Sequence, residues 1–209
     1  MKTNFMKYAI NTFIFDCFGV ICDPVLNGWY RDNRLKKGFP DKNLKNVLEK
    51  FDLGEFSEDD VVDYFSKYSG VDSTKEELRE QIDNYLRLDT ELVKIIQELK
   101  SKGFKTVLLS NANASFFERK VYPTYPFFKN LFDEIVISSE IGMAKPCKNI
   151  YKYTLKKINS KSIESLFIDD SKINVDSAIA LGMKGFVYTD SFSFKEYVNI
   201  TSQCTLLTD

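Results

Sequence analysis

Phe13-Ile14-Phe15-Asp16-Cys17-Phe18-Gly19-Val20 is an apolar run broken by one carboxylate and closed by a glycine. Residues 11–21 show no polar alternation, the pattern of a central parallel strand buried on both faces. On this reading Asp16 stands near the end of the strand, and Cys17 beside it points to the opposite face, into the core. Parallel sheets bind ligands just past the carboxyl ends of their strands. Asp16 is therefore the first candidate for chemistry.

Working outward, residues 105–109 form a short apolar strand that runs into Ser110-Asn111. Further strands are expected at 132–138, at 165–168 running into Asp169-Asp170, and at 185–189. Helical segments fall between them, at 91–101 with Gly103 as its stop, at 112–121, at 148–158, and at 174–181 with Gly182 as its stop. The aromatic stretch 122–128 reads as a packing loop. Alternating strands and helices predict an α/β fold, a Rossmann-like parallel sheet core with helices on both faces.

Residues 23–88 differ in character. They are charged, with helical spacing at 44–51, 58–68 and 75–86, and Ser57 precedes Asp60 by three residues as in a capping box. The expected organisation is a core of residues 1–22 and 89–209 with an inserted α-helical cap, 23–88, above Asp16. Trp29, Tyr30, Arg31 and Arg34 are the cap residues suited to contact a sugar or an organic anion, although packing and solvated faces are commoner uses of these residue types.

Composition closes off several classes of function. The 209 residues are 44% hydrophobic and 28% charged with a net charge of −1, which suits a globular domain and offers no attraction to nucleic acid or a membrane surface. No apolar run is long enough to cross a bilayer. Cys17, Cys22, Cys147 and Cys204 form no zinc spacing, and without a secretion signal the expected location is cytoplasmic, with reduced thiols. There is no histidine, which removes Ser-His-Asp triads, Cys-His dyads and histidine-ligated zinc. A cysteine phosphatase loop needs an Arg six residues after its Cys, where this chain has Asp23, Gly28 and Tyr153. Carboxylates, hydroxyls and lysines must carry any catalysis.

With that chemistry in view, the opening run resembles motif I of the haloacid dehalogenase-like (HAD) superfamily. Leu108-Leu109-Ser110-Asn111 resembles motif II, Gly142-Met143-Ala144-Lys145-Pro146 motif III, and Leu166-Phe167-Ile168-Asp169-Asp170-Ser171 motif IV. The order and spacing match over essentially the whole chain, and residues 54–65, 139–146 and 169–182 are most similar to the sugar-phosphate phosphatase branch. The resemblance implies Asp16 as a nucleophile that forms an aspartyl-phosphate, and Mg2+ held by Asp16, the main-chain carbonyl of Phe18 and Asp170, with Asp169 as an outer or alternate ligand. It implies Lys145 as the neutralising cation, and Ser110 with backbone N–H groups near Asn111 and Gly19 as holders of phosphate oxygens. The implied substrate is a small phosphate ester, with the protein a monomer or homodimer. Physically, a carboxylate can attack phosphorus only when cations offset the repulsion between two anions.

One position departs from the pattern. HAD phosphatases carry a second Asp two residues after the nucleophile as general acid–base, a role typically worth about 10²–10⁴-fold in rate. Phe18 stands there. Three readings follow: a phosphatase without that Asp, acting on a substrate such as a sugar 1-phosphate whose leaving group needs less acid help, with Asp23 near the cap hinge as a candidate substitute acid; a metal-independent 2-haloacid dehalogenase; or a non-catalytic binding protein on the same scaffold. The acidic pair Asp169-Asp170 favours the Mg2+ enzyme, because without a cation it would weaken Asp16 as a nucleophile.

Overall fold

The computed structural model describes residues 9–37, 43–69 and 73–202. Five parallel strands form one sheet in the order β3-β2-β1-β4-β5: β1 Thr12–Phe15, β2 Lys105–Ser110, β3 Glu134–Ile137, β4 Ser165–Asp169 and β5 Lys184–Val187. This is the expected Rossmann-like α/β core. Phe13 and Phe15 join Leu108, Leu166 and Ile168 on one face, and Ile14 joins Val107, Leu109 and Phe167 on the other, so both faces of β1 are buried.

Between β1 and β2 the described residues form five helices: α1 Val25–Lys37, α2 Leu44–Asp52, α3 Glu58–Ser69, α4 Lys75–Asp83 and α5 Thr90–Ser101. The first four constitute the insertion. The chain enters and leaves it through paired linkers, with Asp23 N–H donating to the Arg87 carbonyl (2.9 Å) and Asp89 N–H to the Ile21 carbonyl (2.9 Å). Helix α1 was not expected from its sequence. It forms where Val25, Trp29 and Tyr30 find a core to bury in, and Gly28 lets it approach the Tyr85 ring. The caps are read more directly: Ser57 and Asp60 exchange hydrogen bonds ahead of α3, and Thr74 and Glu77 do the same ahead of α4.

The opening strand is shorter than residues 11–21. It ends at Phe15, and the next residues coil into a tight loop in which the Cys17 carbonyl accepts from the N–H groups of Val20 (3.3 Å), Ile21 (2.8 Å) and Cys22 (2.8 Å). Cys17 is buried, but in this loop rather than on the far face of a strand. Unbroken apolarity is shared by buried strands and buried loops, so periodicity cannot separate them.

After β2, α6 Ala114–Phe116 leads through a π-helical turn, Phe117–Val121, into α7 Tyr122–Thr124. The helix thus extends into the expected aromatic loop, whose rings pack: Phe117, Tyr122 and Phe128 lie 5.7–6.2 Å apart in pairs. The third strand begins at Glu134 rather than 132, since Phe128–Leu131 is a 3-10 turn, and it ends at Ile137, where α8 Ser138–Ile141 begins. Helices α9 Lys148–Lys157, α10 Lys172–Ile179 and α11 Ser191–Ser202 complete the fold, with Ile150 and Tyr151 of α9 and Val175 of α10 covering the second face of the sheet.

Candidate active site

The strand order places the ends of β2, β1 and β4 side by side, and with them Ser110, Asp16 and Asp169. Asp16 N–H bonds the Ile168 carbonyl (2.8 Å), which ties the residue after β1 to the end of β4. Lys145, from the loop after α8, completes the group. Its Nζ lies 2.6 Å from Asp16 Oδ1 and 2.8 Å from Asp169 Oδ2, with its side chain almost wholly buried. The Asn111 side chain fixes the main chain of this lysine from both directions: Nδ2 donates to the Lys145 carbonyl (2.9 Å), and Oδ1 accepts from Lys145 N–H (2.8 Å). The Asn111 side chain thus acts on the site by positioning Lys145. The Lys145-Pro146 peptide is cis.

The two neighbouring aspartates are used differently. Asp169 is fully buried and both its oxygens are engaged, Oδ1 by Ser171 N–H (2.8 Å) and Asn174 Nδ2 (3.0 Å), Oδ2 by Lys145 and Asn174 (3.1 Å). Asp170 instead faces the cavity described below. It packs over Gly19, where an added Cβ would come within 2.3 Å of Asp170 Oδ2 and where φ is +96°. The Gly19 N–H, expected to bind phosphate, donates to the Cys22 carbonyl (2.6 Å) and is taken. What Gly19 supplies is room for Asp170.

Burial pushes the Asp16 carboxyl up to about 7, against the pull of Lys145 and with a push from Asp169. For Lys145, burial works to lower the ammonium, but Asp16 and Asp169 outweigh it and the pKa is raised. Burial, then Asp169, raises Asp170. One oxygen from each of Asp16, Asp169 and Asp170 lies within 4.8 Å of the others. Three carboxylates against one ammonium leave an excess of negative charge that a divalent cation would offset. The donors are hard oxygens, as Mg2+ requires. No backbone hydrogen bond among the described residues ends on the Phe18 carbonyl, and the buried Ser110 Oγ has no partner among them either. The residues present fit a divalent cation together with an oxyanion.

Residues 10–182 match the haloacid dehalogenase-like hydrolase family. The chain belongs to that family. It is 31% identical to a sesquiterpene phosphatase of Aspergillus oryzae over 146 residues, 69% of this chain and 74% of that protein. It is 23% identical to a D-ribitol-5-phosphate phosphatase of Bacteroides thetaiotaomicron over 193 residues, 85% of this chain and 91% of that one. It also matches part of a drimenol cyclase of Aspergillus calidoustus at 33% identity, spanning only 20% of that protein's length. Among solved structures, a HAD family enzyme from Bacteroides thetaiotaomicron in complex with magnesium and inorganic phosphate shares the fold, with a TM-score of 0.67 at 19% identity over 87% of this chain and 95% of that one. No helix among the described residues is long and apolar enough to cross a membrane.

Of the cap residues that could have contacted a ligand, those described take the commoner packing and solvated roles. Trp29 and Tyr30 are buried in the insertion, Arg31 is exposed and paired with Asp32 (3.0 Å), and none of them lines the cavity beside the site. The side chain of Arg34 and all of Cys204 lie outside the described residues. Asp23 is exposed at the linker and does not line the cavity, whereas Asp52, which sequence reasoning passed over, does. Asp52 ends α2, and its carbonyl accepts from Ser138 Oγ (2.5 Å), which fastens it over the core. No hydrogen bond or ion pair to its carboxyl is found among the described residues. Burial pushes that carboxyl up to about 7, against the pull of Lys145, with Glu49 adding to the rise.

Proposed function

We propose that this HAD-family chain is a Mg2+-dependent phosphatase that hydrolyses a small phosphomonoester through an aspartyl-phosphate on Asp16. The observation that carries the reading is the buried Lys145, paired with both Asp16 and Asp169 beside the unpartnered Ser110 hydroxyl. Relatives named as phosphatases, one for a sesquiterpene and one for D-ribitol 5-phosphate, support the same class of reaction.

Asp16, Asp170 and the Phe18 carbonyl would hold the metal, with Asp169 one layer out because its oxygens are already engaged. When bound, Mg2+ supplies the charge neutralisation that lets a carboxylate and a phosphate ester meet. Lys145 keeps Asp16 ionised and aimed, and offsets charge on the transferring phosphoryl group. Ser110 Oγ and the Asn111 N–H bind phosphoryl oxygens. An Asp16 oxygen forms a bond to phosphorus as the ester P–O bond breaks, and the departing oxygen takes the Asp52 proton. Water then attacks phosphorus and gives its proton to the Asp52 carboxylate. The Asp16–phosphorus linkage breaks, releasing inorganic phosphate and restoring both residues. Asp52 thereby performs from the insertion the task for which Phe18 is unsuited. The insertion acts as a cap over the site, one unit of residues 23–88 over a core of 1–22 and 89–209, excluding water when closed.

The test is release of phosphate from p-nitrophenyl phosphate with Mg2+ or EDTA, beside Asp16→Asn. Release that requires Mg2+ and disappears in the variant is expected. Halide release from 2-haloacids that persists in EDTA would instead support the dehalogenase reading, which Phe18 favours. Folded protein with neither activity would support a binding role.

A further inference from the structure

Beside the carboxylate cluster lies a cavity of about 320 Å3, at the small end of the range for ligand sites. It reaches the strand ends at Phe18, Asn111 and Asp170. Its walls are largely apolar: Phe18 and Phe116 from the core, and Leu26, Leu48, Phe51 and Val62 from the insertion. Phe18 therefore has a positive use where the family pattern has an acid. Its ring packs on Phe116 at 5.9 Å and forms part of the wall.

The polar side chains along the walls are mostly committed. Arg119 is clasped by Asp83 (Nη1 to Oδ2, 2.6 Å; Nη2 to Oδ1, 3.0 Å) and by Glu58 (Nε to Oε2, 2.8 Å). Arg79 is paired with Asp59 through its guanidinium end, while its buried Nε has no hydrogen-bond partner among the described residues. Asn113 donates to the Phe51 and Phe56 carbonyls (3.3 and 3.1 Å), and Asn111 is bound to the main chain of Lys145. Both arginines that line the cavity thus already have a carboxylate partner. A second phosphate or a carboxylate on the substrate would meet no open cation. A polyol would exchange its water partners for aromatic and aliphatic walls, and a site poor in free hydrogen-bonding groups discriminates against hydroxyl-rich ligands.

We propose that the substrate is the monophosphate ester of an apolar alcohol, alkyl or isoprenoid, with its hydrocarbon in this cavity and its phosphate at Ser110 and Lys145. The inference rests on the phosphatase reading and narrows it away from sugar phosphates. Such esters have poor leaving groups, which suits an acid at Asp52 on the cavity wall.

The experiment compares kcat/KM for hexyl phosphate and geranyl monophosphate with that for ribitol 5-phosphate, glucose 6-phosphate and geranyl diphosphate, using p-nitrophenyl phosphate as a class-neutral control. The apolar monophosphates are expected to lead by about 10–100-fold. Leu48→Gln and Leu26→Gln, at half-buried wall positions, are expected to raise KM for geranyl monophosphate at least about 10-fold. In calorimetric titrations of the Asp16→Asn protein, geranyl monophosphate should bind with a negative heat capacity change and ribitol 5-phosphate should not. Sugar phosphates matching or exceeding the apolar esters, while p-nitrophenyl phosphate is hydrolysed, would overturn this inference and leave the phosphatase reading standing. No hydrolysis of any ester, p-nitrophenyl phosphate included, by folded protein with Mg2+ would remove that reading and this inference with it.

Discussion

Lys145 Nζ lies 2.6 Å from Asp16 Oδ1 with both side chains buried, so the residue after β1 depends for its charge on a loop 129 residues later in the chain. Breaking a buried pair by removing one partner strands the other charge, a loss of about 3–5 kcal/mol. Lys145→Met roughly keeps the length of the side chain and removes the charge together with the hydrogen bonds it donates. It is expected to lower kcat/KM for p-nitrophenyl phosphate by about 10²–10³-fold. It should also lower unfolding free energy by about 3–5 kcal/mol at pH 7.5. At pH 5 the stability loss should shrink, because Asp16, already raised to about 7 and raised further without its partner, is then protonated. Urea melts at the two pH values check this, and equal losses at both would assign the effect to packing.

Asp52 should appear in the pH profile. With its carboxyl near 7, the protonated acid is present below that value and lost above it. Turnover of an alkyl phosphate should therefore fall as pH rises through about 7, and Asp52→Asn should abolish that limb while lowering kcat by about 10²–10⁴-fold. With p-nitrophenyl phosphate, whose leaving group needs little protonation, the same variant should lose far less. An equal loss on both esters would remove the leaving-group role from Asp52 and leave only a role common to every ester.

The same carboxyl carries a stability cost of the opposite sense. Its folded value of about 7 lies above the ordinary 3.8, so the fold favours the neutral form. Its contribution to stability is full below 3.8 and fades as pH rises to about 7, above which an unpaired carboxylate is held half-buried. Asp52→Asn should match the wild type at pH 4 and exceed it at pH 8 by on the order of 2–4 kcal/mol. Thermal or urea unfolding at both values reads this directly, and a variant no more stable at pH 8 would refute it.

Gly19→Ala tests the seating of Asp170. The new Cβ would press on Asp170 Oδ2 from 2.3 Å, at a φ of +96° that side chains rarely adopt. A stability loss of about 1–3 kcal/mol is expected from the backbone alone. The diagnostic readout is the Mg2+ concentration for half-maximal activity, which should rise at least tenfold because a carboxylate ligand is displaced. An unchanged Mg2+ requirement would remove Asp170 from the proposed ligand set.

Several features were legible in the chain itself because they depend on neighbours in sequence. Apolar runs of four to six residues ending in Asp16, Ser110 and Asp169 mark strands and place their polar ends together, since parallel strands share one end. The capping residue Ser57 sets a helix start for the same local reason. The end of β1 was less legible, because its tight loop is as apolar as the strand. Helix α1 was missed because Gly28 breaks the pattern that its burial against Tyr85 requires.

By itself, then, the sequence determined the α/β class, the family and the polar and charged residues available to the site: Asp16, Ser110, Lys145, Asp169 and Asp170. Tertiary structure decided how those residues are divided. It closed Asp169 among Lys145, Ser171 and Asn174, left Asp170 facing the cavity, and took the Gly19 N–H for the Cys22 carbonyl. It also decided the company they keep, bringing Asp52 beside them and building an apolar wall from Phe18, Leu48, Val62 and Phe116. The physical reason is range. Strand and cap signals are set within a few residues by backbone geometry, whereas a cavity arises where segments dozens of residues apart pack together, which no local pattern encodes.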